Sequence, residues 1–349
     1  MDLGYAQFDF NTNPPTLLNF EDIFDFGRLL GKGGFGAVYL VRGLRSNIYY
    51  ALKIIDPNSF TNETPAEIID HEIGTLSQVS KFPNCSPDIV CYIDVFQFDF
   101  IFDNGKERSV YGILTEYIDG EDLEKIFWQN GPLNVEEAGV LLVWLLSTVN
   151  SLHELGIAHR DIKPSNIMRL TPKSDISANI LSDGNAYKLI DFGISCLTNQ
   201  DFIDASSGST LMTQYYPKTN LKCKDEFIGT IGFLAPEVFD LPNTKLPTLS
   251  TNQWKKIDSY AIGTSIYYML SGYFPHQVDN NNRPFGQYTS APIITGNNQI
   301  VYLSDIDPCL DRTIAGLVDL NPNKRLFPLE ALSILVECYS DSNGNNNYV

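Results

Sequence analysis

Residues 159–166 read HRDIKPSN, and residues 189–193 read LIDFG. The first string follows a long apolar segment, 134–155, whose periodicity predicts a helix. It puts a carboxylate, a lysine and an amide into one loop at a helix end. Asp161 suits the task of accepting or orienting the proton of an attacking hydroxyl. Lys163 suits the steadying of an anionic group in transfer, and Asn166 offers an amide oxygen to a metal. His159 and Arg160 read as supporting residues. In the second string Asp191 follows an apolar strand-like run, which delivers a carboxylate of the kind that hard divalent cations take. HRDIKPSN alone could be a charged loop that closes a helix; the aspartate downstream disfavours that reading.

Toward the N-terminus the pattern becomes β. Short apolar runs at 26–30, 37–41 and 49–55 are separated by Gly- or Asn-containing turns. Residues 66–79 carry apolar side chains near helical spacing, and two more strands are expected at 93–102 and 109–116, joined across Asn104-Gly105, a hairpin signal. The first third is thus expected to be a five-stranded antiparallel sheet with one helix. The remainder is expected to be mainly helical, with later helices near 256–271, 308–319 and 328–339, so the fold class is α+β.

Between the first two strands lies GKGGFG: Gly31, Lys32, Gly33, Gly34, Phe35 and Gly36. Glycines lack Cβ and let backbone N–H groups approach a polyphosphate closely, although a tight hairpin explains the string equally well. No helix follows it, so it is unlike a dinucleotide-binding loop. Lys53, in YALKII, alternates with Leu52 and Ile54 and so faces away from them. Beside a phosphate loop it would neutralise phosphate oxygens, and it would need an orienting anion. Glu72 is the candidate and Glu67 the competitor.

Glycine loop, strand lysine, helix glutamate, HRDIKPSN and LIDFG, in that order, resemble the eukaryotic-type protein kinase family over roughly residues 24–339. The resemblance implies ATP and Mg2+, with residues Gly31 to Gly36 over the phosphates and Val38 and Ala51 about the adenine. It implies a Lys53–Glu72 pair and a hinge at 115–118, where Glu116 and Tyr117 offer backbone groups to adenine and Thr115 forms the inner gate. It further implies a ribose contact from Asp122, a catalytic base in Asp161, phosphate support from Lys163, and magnesium held by Asn166 and Asp191. Glu237 of the Ala235-Pro236-Glu237 string would pair with Arg325, and Asp258 would brace the catalytic loop. The DIKPSN form, together with Thr230, resembles the serine/threonine class and not the tyrosine class. Arg160 would hold a phosphorylated residue of the activation loop, or a carboxylate in its place, for which Glu226 stands at the right spacing. The alternative is an acidic loop facing solvent, with the phosphosite among Ser209, Thr213 and Thr219. A catalytically silent scaffold would have lost Lys53, Asp161 or Asp191, and none is lost.

The implied layout is an extension at 1–20, a kinase domain at 21–339 with its small lobe ending near 117, and a polar tail at 340–349. Stretches 171–186, 199–226, 240–253 and 278–300 lack apolar periodicity and read as surface loops or insertions. A formal charge of -18 disfavours nucleic acid and anionic membranes as partners and leaves protein substrates; it would suit a basic protein partner, but an acidic protein kept soluble by its charge is the simpler reading. The apolar stretch Val140 to Leu146 reads as a buried helix too short to cross a bilayer. The six cysteines, Cys85, Cys91, Cys196, Cys223, Cys309 and Cys338, form no C-x-x-C pair and read as reduced thiols; redox sensitivity at Cys196 and Cys223, in an expected loop, is the less favoured alternative. With an acidic N-terminus unlike a signal peptide, cytoplasm is the expected location, the nucleus being the alternative.

Overall fold

Strand alternation in the first third of the chain resolves into two unlike sheet faces. The computed structural model describes residues 23–33, 36–56, 65–81, 83–101, 105–171, 186–198, 222–223, 228–239, 249–278, 293–294 and 307–344. Its chain divides into two units, Met1–Asp119 and Gly120–Val349. In the first, β1 (Phe24–Gly33), β2 (Gly36–Gly43), β3 (Tyr49–Ile55), β4 (Tyr92–Ile101) and β5 (Glu107–Glu116) form an antiparallel sheet in the order β1-β2-β3-β5-β4. Helix α1 (Pro65–Val79) connects β3 to β4. This is the expected five-stranded sheet with one helix.

Register decides which side chains share a face. Val38 lies opposite Lys53, Leu40 opposite Ala51, and Ala51 in turn opposite Thr115. Directly opposed residues point the same way, so Val38, Ala51, Lys53 and Thr115 occupy one face. On the other face Val41, Tyr50, Leu52, Ile54, Val110 and Leu114 are buried with Phe24 and Phe98. Phe26, Tyr39, Phe96 and Phe100 pack against this cluster, and Phe24 meets Tyr50 and Phe96 edge-on at 6.0 and 5.8 Å. Each buried large apolar side chain contributes roughly 1.5–3 kcal/mol. A one-residue slip would drive Lys53 into that aromatic layer, so burial on one face fixes the lysine on the other.

The second unit opens with β6 (Gly120–Asp122), α2 (Leu123–Asn130) and α3 (Val135–Glu154). Asn134 and Glu137 form a reciprocal capping box at the start of α3. By length and composition α3 could cross a bilayer, a test that the shorter run Val140 to Leu146 had not suggested. Its apolar residues Leu141, Leu142, Leu145, Leu146, Val149 and Leu152 are buried within the unit. Strand β7 (Ile157–Ala158) leads into the HRDIKPSN loop, which ends in a 3-10 turn at Pro164–Asn166. Strands β8 (Ile167–Leu170) and β9 (Tyr187–Leu189) join β6 in a small sheet, and β10 (Cys196–Leu197) pairs with β7.

Helix α4 (Pro236–Phe239) precedes α5 (Thr251–Ser271), which is buried from Ile257 to Met269 on all sides. Such a helix forms the centre of a helical unit. It begins five residues before the expected 256, because Ser250 and Gln253 make a second capping box; the end of the stretch 240–253, expected as a loop, is therefore helical. The short pair β11 (Gln277–Val278) and β12 (Ile293–Ile294) is followed by α6 (Pro308–Leu317) and α7 (Pro328–Gly344). Helix α7 runs into the tail expected to be frayed, because extending an established helix needs no new nucleus.

The cysteine expectation is corrected. Cys85 pairs with Cys91, Cys196 with Cys223 and Cys309 with Cys338, and no cysteine is free. Two of these pairs span 27 and 29 residues. Only the fold brings such partners together, so no local spacing motif announces them.

Candidate active site

In the first unit Gly31 and Gly33 lie on β1, opposite Val38 and Gly36 of β2. The hairpin tip, Gly34 and Phe35, lies outside the described residues. Gly36 adopts φ 149°, and a Cβ there would stand 2.2 Å from the Ile54 carbonyl oxygen, so no other residue fits. Lys32 follows Gly31 on the same strand, opposite Ala37. On β3 the Lys53 ammonium meets the Glu72 carboxylate of α1 at 2.7 Å, both largely buried. Glu72 is thereby the partner; the Glu67 side chain lies outside the described ones. Glu116 ends β5, and its carboxylate accepts from the Cys91 backbone N–H at 2.9 Å, while its own N–H donates to the Cys91 carbonyl. Thr115 Oγ1 reaches the Ala51 carbonyl at 3.5 Å. Tyr117 meets Tyr49 at a tilt, ring centres 6.4 Å apart.

In the second unit the residues of the HRDIKPSN loop meet. Asp161 Oδ2 receives the Lys163 ammonium at 2.7 Å and an Asn166 amide hydrogen at 3.0 Å. Asp161 Oδ1 accepts from the Thr230 hydroxyl at 2.7 Å, and that hydroxyl accepts from Lys163 Nζ at 2.6 Å. Asn166 Nδ2 also donates to the Asp161 carbonyl, which directs both amide hydrogens at Asp161 and leaves Oδ1 as the atom for a cation. The Ile190 N–H donates to the Asn166 carbonyl, and β8 pairs with β9 through Ile167 and Leu189. Asp191 thus comes one residue after the point where the chain is bonded to Asn166. Arg160 and Asp191 both take left-handed backbone, at φ 70° and 61°. Positive φ on these two marks positions that the surroundings must impose.

Asp258 imposes the first. Fully buried on α5, its carboxylate accepts from the His159 and Arg160 backbone N–H groups at 2.9 and 2.8 Å and from His153 Nε2 at 2.9 Å. Burial alone would raise its pKa, but the bonds from His153 and the Arg160 backbone and the nearby histidines carry it below the usual carboxylate range. Ser265 of α5 adds a bond to the Ile162 carbonyl at 3.4 Å. Burial pushes the His159 imidazole down, against the pull of Asp258, Asp161 and Asp191, so the ring is neutral and packs on Phe192 at 4.8 Å. The Arg160 guanidinium lies over the Trp254 ring at 5.0 Å. Glu226 and the alternative sites Ser209, Thr213 and Thr219 lie outside the described residues.

Thr230 arrives through Gly229, whose φ is 128° and whose Cα faces the Arg160 carbonyl; a Cβ there would come within 3.2 Å of it. Arg325, fully buried, grips Glu237 with two parallel bonds of 2.6 and 2.9 Å, donates to the Asp319 and Lys256 carbonyls, and stacks on Tyr260 at 5.0 Å. Asp122 caps α2 by accepting from the Lys125 N–H at 2.8 Å. Two functional contacts had no sequence signal. The Thr230 bond to Asp161 joins residues far apart in sequence, and His153 looks like an ordinary residue of α3.

A family model for the protein kinase domain matches residues 24–335. The chain belongs to that family. It is 27% identical over 321 residues to the serine/threonine-protein kinase cds1 of Schizosaccharomyces pombe, a match covering 88% of this chain and 57% of that protein. It is also 27% identical over 318 residues to the serine/threonine-protein kinase D of Synechocystis, covering 89% of this chain and 51% of that protein. With the Drosophila melanogaster serine/threonine-protein kinase CG17528 the match is 27% over 310 residues, or 88% and 34%. The kinase domain therefore spans between about a third and just over half of the length of these relatives.

The donor set fits magnesium. This ion is ordinarily held by one or two protein oxygens together with phosphates and water. Among the described residues no group of three or more His, Cys, Asp or Glu could hold a metal by itself, whereas Asn166 is bonded to Ile190, the residue before Asp191.

Proposed function

We propose that the chain transfers the γ-phosphoryl group of ATP to serine or threonine hydroxyls of proteins. The observation that carries this reading is the 2.7 Å bond from the Thr230 hydroxyl to Asp161 Oδ1. A general base must lie within about 2.6–3.2 Å of the hydroxyl it deprotonates, and here an alkyl hydroxyl already occupies that position. Magnesium-ATP, when bound, supplies the transferable phosphoryl group and much of the charge neutralisation. Asp161 then orients the acceptor hydroxyl and takes up its proton. Lys163, held between Asp161 and Thr230, offers positive charge where the equatorial oxygens gain electron density. Asn166 Oδ1 and the Asp191 carboxylate would hold the metal. Lys53, fixed by Glu72, would neutralise the α- and β-phosphates.

The adenine contacts at Val38, Ala51, Glu116 and Tyr117 and the ribose contact at Asp122 belong to the same proposal. Asp122 would make its ribose contact with the carboxylate oxygen left over from capping α2. The net charge of -18 favours a basic protein acceptor over nucleic acid or an anionic membrane. The disulfides weigh against the cytoplasmic expectation, because thiols are kept reduced there. Counting alkylatable thiols in the chain recovered from its own compartment decides that point.

The test of the activity is incubation with magnesium, labelled ATP and a generic basic protein, with Asp161→Asn in parallel. Label on serine or threonine from the wild type alone is the expected result. Label on tyrosine would refute the hydroxyl class, and equal transfer by the variant would refute the role of Asp161.

A further inference from the structure

We propose that the Cys196–Cys223 disulfide is a redox latch on the catalytic loop, and that the oxidised chain is the competent form; this rests on the kinase reading above. Cys196 lies on β10 directly opposite Ala158, the residue before His159. On the other side the Cys223 N–H donates to the Leu197 carbonyl at 3.0 Å, and Thr198 N–H donates to the Gly156 carbonyl at 2.7 Å. The sulfur bond thus joins the stretch that leaves Asp191 to the stretch that approaches Thr230, and fastens both to the strand that feeds HRDIKPSN.

The attachment extends into the core. Cys196 and Cys223 are buried in one cluster with Ala158, Leu234, Ala235, Val238 and Trp254. Trp254 carries the Arg160 guanidinium, and Gly229 abuts the Arg160 carbonyl. In the disulfide-bonded chain the Thr230–Asp161–Lys163 cluster is assembled, so the latch is closed in a conformation with the catalytic groups in place. Opening it removes the covalent tie between two points 27 residues apart in sequence. The other disulfides act elsewhere. Cys85–Cys91 closes a six-residue separation in the first unit, and Cys309–Cys338 clips α6 to α7.

The exchange balances with a small dithiol as co-reactant. One reductant thiolate attacks a cystine sulfur, the S–S bond breaks, a mixed disulfide forms, and the other cysteine leaves as a thiolate that takes up a proton. The second reductant thiol then displaces the remaining cysteine and closes the reductant's own disulfide. Two electrons and two protons pass to the protein pair, and a small-molecule disulfide reverses the sequence. Because both sulfurs are buried, exchange needs local opening and runs more slowly than at Cys85–Cys91, where Cys85 is exposed.

The experiment takes the full chain, oxidised or treated with dithiothreitol. Bonds are mapped by alkylation and mass spectrometry. Phosphotransfer to the basic acceptor and hydrogen exchange of the amides at 228–239 are then measured. Opening Cys196–Cys223 is expected to slow transfer roughly tenfold and to speed exchange at 228–239. Cys196→Ala/Cys223→Ala should resemble the reduced chain and ignore the reductant, whereas Cys85→Ser/Cys91→Ser should keep the wild-type response. If the double alanine variant fails to fold, the wild-type comparison alone decides. The proposal is overturned if the mapped bond opens with transfer and exchange unchanged, if reduction raises transfer, or if both thiols are free in the oxidised chain. Absence of transfer in both states would count against the kinase reading, and the exchange difference would still decide whether the latch exists.

Discussion

Lys53 and Asp161 both carry charge out of bulk water, but they are held in place by different means. Lys53 is aimed by strand register, with an aromatic layer on the far face that forbids a slip, and by an ion pair to α1. Asp161 sits in a loop with unfavourable backbone, where Asp258 and Ser265 hold backbone groups on either side of it, Thr230 holds one carboxylate oxygen, and Lys163 and Asn166 hold the other. A strand can aim a side chain by alternation alone, whereas a loop must be tied atom by atom. The catalytic constellation should therefore tolerate fewer changes in its surroundings than the lysine does.

Asp161→Asn tests the stronger end of that contrast. Turnover should fall by about 100- to 10,000-fold with little change in melting temperature, read by labelled-phosphate transfer and calorimetry. Arg325→Ala comes next, with an expected loss of about 3–5 kcal/mol of stability by urea unfolding, because it strands Glu237 beside a buried void. Arg42→Ala in the first unit is its counterpart. The Arg42–Asp25 pair is 41% and 56% exposed, and its loss should cost under about 1 kcal/mol. Equal losses in the two variants would erase the distinction between tied and exposed charge.

Glu72→Gln should lower turnover about tenfold at fixed ATP and raise the KM for ATP, because the lysine loses its orienting anion while its strand stays in register. A loss as large as that of Asp161→Asn would mean that register aims Lys53 poorly. The smallest effect is that of pH. Burial depresses both His159 and His276, so each is neutral in the folded chain. The unfolded chain binds more protons below the ordinary histidine value of about 6.5. Stability is therefore complete above that pH and declines as pH falls through it, by at most about 1.4 kcal/mol per pH unit for each histidine. Asp258, whose pKa is depressed, holds its contribution across this window and loses it only at more acid pH, below the ordinary carboxylate range. All three tryptophans lie in the second unit, so tryptophan-fluorescence melts at pH 7.5, 6.5 and 5.5 follow that unit. Melting temperatures independent of pH would show that these imidazoles are not held neutral.

The sequence was most legible where chemistry requires short strings. HRDIKPSN, LIDFG, Lys53 and the Ala235-Pro236-Glu237 string name residues whose neighbours along the chain are also neighbours in function. Alternation about Lys53 gave the sheet its faces, because a period of two survives any reasonable register. The start of α5 was missed, since Ser250 and Gln253 look like loop residues until they cap each other. The Cys196–Cys223 and Cys309–Cys338 pairs, the His153–Asp258 bond and the Thr230 contact were invisible for one common reason. Each depends on distant segments being brought together, and single-sequence patterns report only on local spacing.

The left-handed backbone at Arg160 has a consequence for transplantation. For a residue with a Cβ that conformation costs roughly 1–2 kcal/mol, and a free loop would relax out of it. What prevents relaxation is a carboxylate contributed by a helix almost a hundred residues downstream. The motif is thus a dependent part, with its shape stored in another segment. Grafted alone onto a foreign scaffold, HRDIKPSN would carry the right letters and lose the geometry that gives them meaning.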